Sequence, residues 1–177
     1  MSGGSGFYYW LSFPHSLTSL THDFELWRVV TPAFMHFSAL HLLLNLIAFY
    51  WLLSQWPKRW SLMRLIACLA GIAAASNLAQ YLWAGPAFGG LSGVVFGLAG
   101  LYIGGAIVAR YRPGRDSVPP LSLELVGILL LTIALGFAGI LPNLADMAHL
   151  AGLLAGLLMG ITLVLLSPAE QSVGQSF

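Results

Sequence analysis

Along most of the chain apolar residues follow one another without regular polar interruption, and the polar residues collect between these runs. Five runs, at about 36–55, 62–83, 92–110, 122–141 and 146–166, are largely uncharged. Each is long enough, as a helix, to approach or cross a hydrocarbon layer of roughly 30 Å. The stretch from Phe7 to Arg28 differs: it mixes Trp10, His15, His22, Asp23, Glu25, Trp27 and Arg28 with apolar residues and is broken by Pro14. That mixture suits a membrane–water interface.

Composition sharpens this reading. Of 177 residues, 58% are hydrophobic and 7% charged, against roughly 25% charged in a soluble domain. The pattern predicts an all-α polytopic membrane protein organised as an uncharged leader at 1–6 (flexible, or an expression scar), a membrane domain at 7–166 and a polar tail at 167–177. A formal charge of +1 leaves no basic stripe to neutralise a row of phosphates, so no nucleic-acid partner is expected. The single Cys68 forms no intrachain disulfide.

Charge also orients the spans. Lys58, Arg59 and Arg64 flank the first turn and Arg110, Arg112 and Arg115 the third, whereas 84–91 and 142–145 carry no Lys or Arg. The positive-inside rule places turns one and three in the cytoplasm, the Phe7–Arg28 region outside and the C-terminus inside. The first, third and fifth spans then start from the outer surface, so His36, His41, Asn45, Ser92 and His149 share one depth. Polar residues at membrane depth usually face a bundle interior or a wet cavity.

Gly89-Gly90-Leu91-Ser92-Gly93 opens the third span. Glycines permit a sharp turn, and a helix starting at Ser92 would aim free N–H groups at a bound oxyanion. Serine is also a common helix cap, so Ser92 has a structural reading beside the chemical one. His149, Gly152, Gly156 and Gly160 form one face of the fifth span, and Gly93, Gly97, Gly100 and Gly104 form a stripe on the third. Small-residue stripes let membrane helices approach closely, which would bring His149 to Ser92 as a general base. The rival role for His149 is interhelical hydrogen bonding. His41 and Asn45, one turn apart, could donate to an oxyanion from the opposite side. His36 and His41 lie on different faces of a regular helix without a cysteine or carboxylate to complete a tetrahedral set, so no metal site is expected. Asp146, three residues before His149, fits the first-turn dipole better than a third catalytic position.

Taken in series, His36-x4-His41-x3-Asn45, Gly90-x-Ser92-Gly93 and Ala148-His149-x2-Gly152-x3-Gly156 resemble the rhomboid intramembrane serine proteases, and Trp27-Arg28 with Gly85-Pro86-x-Phe88-Gly89-Gly90-Leu91-Ser92-Gly93 looks most like their bacterial branch. The resemblance covers about residues 8–165. It implies a rhomboid-like helical bundle of the bacterial inner membrane, with an active site opening toward the periplasmic side. It further implies a Ser92–His149 dyad, with His41, Asn45 and the backbone near Ser92 and Gly90 holding the oxyanion and Met35–His36 at the cavity mouth. Substrates would be transmembrane segments of other membrane proteins, and no cofactor is implied. Phe96 stands where that branch usually has a tyrosine beneath the histidine, so the ring contact is expected without its hydroxyl.

The family core has six spans and five are visible here, which implies a further span preceding Phe7 in the native protein. A rhomboid-like pseudoprotease that binds membrane clients without cleavage is the alternative reading. A small transporter with a Gly-rich helix interruption is a third, though the halves carry no evident repeat.

Overall fold

In the computed structural model, residues 3–112, 118–141 and 144–167 are described. Seven α-helices lie among them: α1 (Gly3–Leu11), α2 (Leu17–His22), α3 (Ala39–Ser54), α4 (Leu62–Ala84), α5 (Ser92–Tyr111), α6 (Leu123–Phe137) and α7 (Asp146–Leu166). Two 3₁₀ turns, Leu26–Val29 and Thr31–Phe34, precede α3. The expected tail from residue 168 onward, residues 1–2 and the part of the third turn at 113–117 lie outside the described residues.

α4, α5 and α7 are each long and apolar enough to cross a membrane. α5 is the central helix, buried without a break from Gly93 to Tyr102. It reaches that position because it has almost no side-chain bulk on the face toward α7. A Cβ on Gly156 would collide with the Gly97 carbonyl, one on Gly152 with the Gly93 carbonyl, and one on Gly160 with the Leu101 carbonyl. The two glycine stripes therefore bring backbone against backbone, as small residues allow in lipid. On its other flanks α5 packs against α3 and α4, with Leu98, Leu101 and Tyr102 fully buried.

Two of the five expected spans are shorter than their apolar runs. α3 has 16 residues and α6 has 15, about 24 and 22 Å at 1.5 Å per residue. α3 starts late because Phe37 and Ser38 are not helical: Ser38 is extended and its Oγ accepts from the His41 N–H. α6 stops early because Gly139 adopts φ +71°. The N–H groups of Ala138, Gly139 and Ile140 turn back onto the carbonyls of Ala134, Gly136 and Leu135, which closes the helix end.

The region before α3 packs on the C-terminal half of α4. Asn77 Nδ2 donates to the Val29 carbonyl at 2.8 Å and Tyr81 OH to the His15 carbonyl at 3.0 Å. Arg28, 2% exposed, is held by Glu25, by the Ser12 carbonyl at 2.8 Å and by the Tyr9 ring. Gly3–Gly6, expected as a loose leader, already belong to α1. The aromatic residues after them anchor that helix: Trp10 stacks on Trp27 with centroids 5.9 Å apart.

Candidate active site

The loop joining α4 to α5 decides where Ser92 stands. α4 ends at Gly85, φ +80°, and Pro86 follows. The chain then passes under the second 3₁₀ turn, where the Gly90 N–H donates to the Pro32 carbonyl at 3.0 Å. A Cβ on Gly89 would lie 2.7 Å from Met35 Cβ, so the close passage requires glycine there. Gly90 itself has φ +135°, a conformation side chains rarely adopt.

Ser92 emerges from this loop as the first residue of α5. Leu91 precedes the helix and supplies no side-chain cap, so the capping role open to Ser92 is not the one it fills. Its Oγ lies 2.8 Å from His149 Nε2 instead. His149 is buried in the first turn of α7 and stacks face to face on Phe96, with centroids 4.5 Å apart and planes 10° apart. Its Nδ1 has no partner among the described residues. With the proton on Nδ1, Nε2 is free to accept from the serine hydroxyl.

Asp146 does not complete a triad. Its carboxylate turns toward α6, where a Cβ on Gly136 would collide with Oδ1. That oxygen is buried and unpartnered among the described residues, while the residue keeps its place in the first turn of α7, where a carboxylate suits the helix dipole.

A cavity of about 800 Å³ opens over the pair, lined by Phe37, Ser38, His41, Gln80, Ser92 and His149 among others. His41 enters it from α3 across the space that Gly90 leaves. A Cβ on Gly90 would stand 2.8 Å from His41 Cε1, 3.1 Å from His41 Nε2 and 3.7 Å from Ser92 Oγ. The imidazole therefore packs directly on the Gly90 backbone, and only glycine lets His41 come this close to the serine.

Three expected placements differ. The Gly90 N–H is engaged by Pro32 and so is not free to receive an oxyanion. Asn45, one turn below His41, is buried and does not line the cavity; its Nδ2 lies 3.2 Å from His36 Nε2. Met35 is buried over Gly89, and neither it nor His36 lines the cavity, whereas the neighbouring exposed residues Phe37, Ser38 and Leu40 do. In each case the loop trajectory, which helix periodicity does not describe, chose the partner.

α4 contributes residues that sequence reasoning passed over. Gln80 lines the cavity, and its Oε1 accepts from the Ala148 N–H at 3.1 Å, holding the start of α7 in place. Ser76 packs against Gly93. The available signal was the group Ser76, Asn77 and Gln80, polar residues in the C-terminal half of an otherwise largely apolar run.

Comparison with known proteins shows the family. A family model described as the Rhomboid domain matches residues 23–166. The chain is 36% identical over 151 residues to the rhomboid protease GlpG of Yersinia pestis (strain Pestoides F) and 38% identical over 153 residues to that of Serratia proteamaculans (strain 568). Each alignment covers 85% of this chain, and 51% and 52% of the respective relatives. The chain therefore spans about half the length of the curated relatives it matches.

Proposed function

The chain belongs to the rhomboid family, and from that premise we propose that it is an intramembrane serine endopeptidase, cutting peptide bonds in or near transmembrane segments of other membrane proteins. The observation that carries this reading is the 2.8 Å contact between Ser92 Oγ and His149 Nε2 in a largely apolar cavity into which Ser38, His41 and Gln80 also project. That distance lies within hydrogen-bond reach of a general base and its nucleophile.

In this mechanism Ser92 Oγ attacks the scissile carbonyl carbon while its proton passes to His149 Nε2. The carbonyl oxygen becomes an oxyanion on the cavity side of Ser92, facing the His41 ring, with the Ser92 backbone N–H at the start of α5 as a further donor. A first-turn N–H has no preceding helical carbonyl to bond, which suits it to that task. Collapse of the intermediate breaks the C–N bond, and His149 returns the proton to the leaving amine. Water, activated by the same imidazole, then hydrolyses the ester on Ser92. Asn45 acts one bond removed, through His36. Phe96 supports the imidazole from below, and Gly152 and Gly156 bring α7 close enough to α5 for the pair to meet.

A transmembrane substrate hides its scissile carbonyl in helical hydrogen bonds, so it must unwind before attack. The cavity offers polar groups to a chain that has done so. We assign the cavity to the outer, periplasmic side of a bacterial inner membrane, opposite the basic turns at Lys58–Arg59 and Arg110–Arg112.

The test is covalent labelling of the detergent-purified protein by a fluorophosphonate probe, comparing the unaltered chain with Ser92→Ala and His149→Ala. Labelling that both substitutions abolish is expected. A well-folded sample that takes no label would sink the protease reading and leave a client-binding pseudoprotease.

A further inference from the structure

We infer that His36 is a neutral clasp that positions the loop carrying Ser92, and that protonation of its ring releases that loop. The inference rests on the proposed role of Ser92 and adds a group outside the dyad that governs it.

The geometry fixes the state of the ring. The Leu91 N–H donates to His36 Nε2 at 3.4 Å, and a backbone N–H can only donate. Nε2 must therefore carry a lone pair, which places the proton on Nδ1, facing the Phe34 carbonyl at 3.4 Å. The Asn45 amide approaches the same Nε2 at 3.2 Å, so one lone pair receives two donors. Through these contacts a single ring joins the second 3₁₀ turn, α3 and the residue next to the nucleophile. A proton arriving on Nε2 would replace the acceptor with a third donor and turn both attractions into repulsions.

Among titratable groups facing the ring, the near one is His41, with centroids 5.0 Å apart. The 85–91 loop and residues 29–35 contain no other titratable side chain, and α3 adds only Tyr50, more than two turns beyond His41. No carboxylate stands in those segments. His36 touches neither Ser92 nor His149 among the contacts of the structure and is a positioning residue.

The clasp predicts two separate proton sensitivities, one at the base and one at the loop. His36→Gln retains an oxygen acceptor near the Nε2 position and does not titrate, whereas His36→Leu has no acceptor at any pH. The rate of fluorophosphonate labelling should fall about hundredfold per pH unit on the far acid limb of the unaltered protein, as expected when two protonations each inactivate. For His36→Gln it should fall only about tenfold per pH unit. At neutral pH His36→Gln should label faster than His36→Leu. Acid limbs of equal steepness and midpoint in the unaltered protein and His36→Gln would overturn the clasp.

A second measurement needs no change at His36. In the Ser92→Ala chain, hydrogen exchange at the Leu91 amide, corrected for its intrinsic pH dependence, should lose protection as pH falls. Protection independent of pH overturns the clasp even where labelling behaves normally. Loss of protection in a protein whose unaltered form never labels would instead uphold the clasp and reject the protease reading.

Discussion

The rings of Phe96 and His149 lie almost parallel, 10° apart, with centroids separated by 4.5 Å. They stand on adjacent helices, α5 and α7, and the stack fixes the plane in which His149 Nε2 meets Ser92. The imidazole has no hydrogen bond at Nδ1 among the described residues, so ring packing is its principal orientation. Aromatic pairs contribute about 0.5–1.5 kcal/mol beyond burial. Phe96→Leu should therefore slow fluorophosphonate labelling by about tenfold at most through lost orientation, while Phe96→Tyr keeps the stack and should stay closer to the unaltered rate. Labelling rates of the two variants, measured side by side, check this.

Gly90→Ala should remove labelling while leaving the helices intact. The added methyl would collide with the His41 ring and displace it from beside Ser92 Oγ, and φ +135° disfavours any side chain there. Blocking one oxyanion donor costs about 2.7–4 kcal/mol of barrier lowering, or roughly 10²–10³ in rate. A circular-dichroism spectrum unchanged beside a labelling rate at least a hundredfold lower, the low end of that range, is the expected pair of results.

Glycines on the α5–α7 seam and on the lipid face should respond in opposite ways. Gly156→Ala drives a methyl into the Gly97 carbonyl, whereas a Cβ on Gly127 in α6 meets nothing within 4 Å. Backbone on both sides leaves Gly156 no room to relax, and overpacking of this kind costs about 1–3 kcal/mol or more. Gly127→Ala should be neutral or gain up to about 1 kcal/mol from helix propensity. Thermal unfolding midpoints in detergent should fall for the first and hold or rise for the second.

The Glu25–Arg28 pair anchors the interfacial region, with the residues 8% and 2% exposed. Removing one member strands a buried charge, at a cost of about 3–5 kcal/mol. Glu25→Gln should thus expose the 7–30 segment to protease at temperatures where the unaltered protein resists. Limited proteolysis across a temperature series reads this directly.

Tyr102→Phe should cost little. The Tyr102 hydroxyl donates to the Leu52 carbonyl at 2.8 Å, yet that carbonyl also accepts from the Gln55 N–H. The acceptor is not orphaned by the change, so the loss belongs at the net value of about 0.5–1.5 kcal/mol. A midpoint shift of several degrees or less, with labelling preserved, is expected.

Runs of apolar residues by themselves determined the all-helical membrane class and the five apolar helices, three of them long enough to cross a membrane. The spacing of His41, Ser92, His149 and the glycine stripes determined which residues share a depth and a face, because helical periodicity is local and 3.6 residues per turn leaves little choice. Which hydrogen bond each polar group makes was not local. The Gly90 N–H went to Pro32, Asn45 turned to His36, Asp146 faced Gly136, and Gln80 took the Ala148 N–H. Those choices follow from how closely α5 and α7 approach and from the path of the loop beneath the second 3₁₀ turn. A donor bonds whatever acceptor the assembled fold brings within about 3 Å, and residues as far apart in sequence as Ser92 and His149 acquire that distance only when the helices pack.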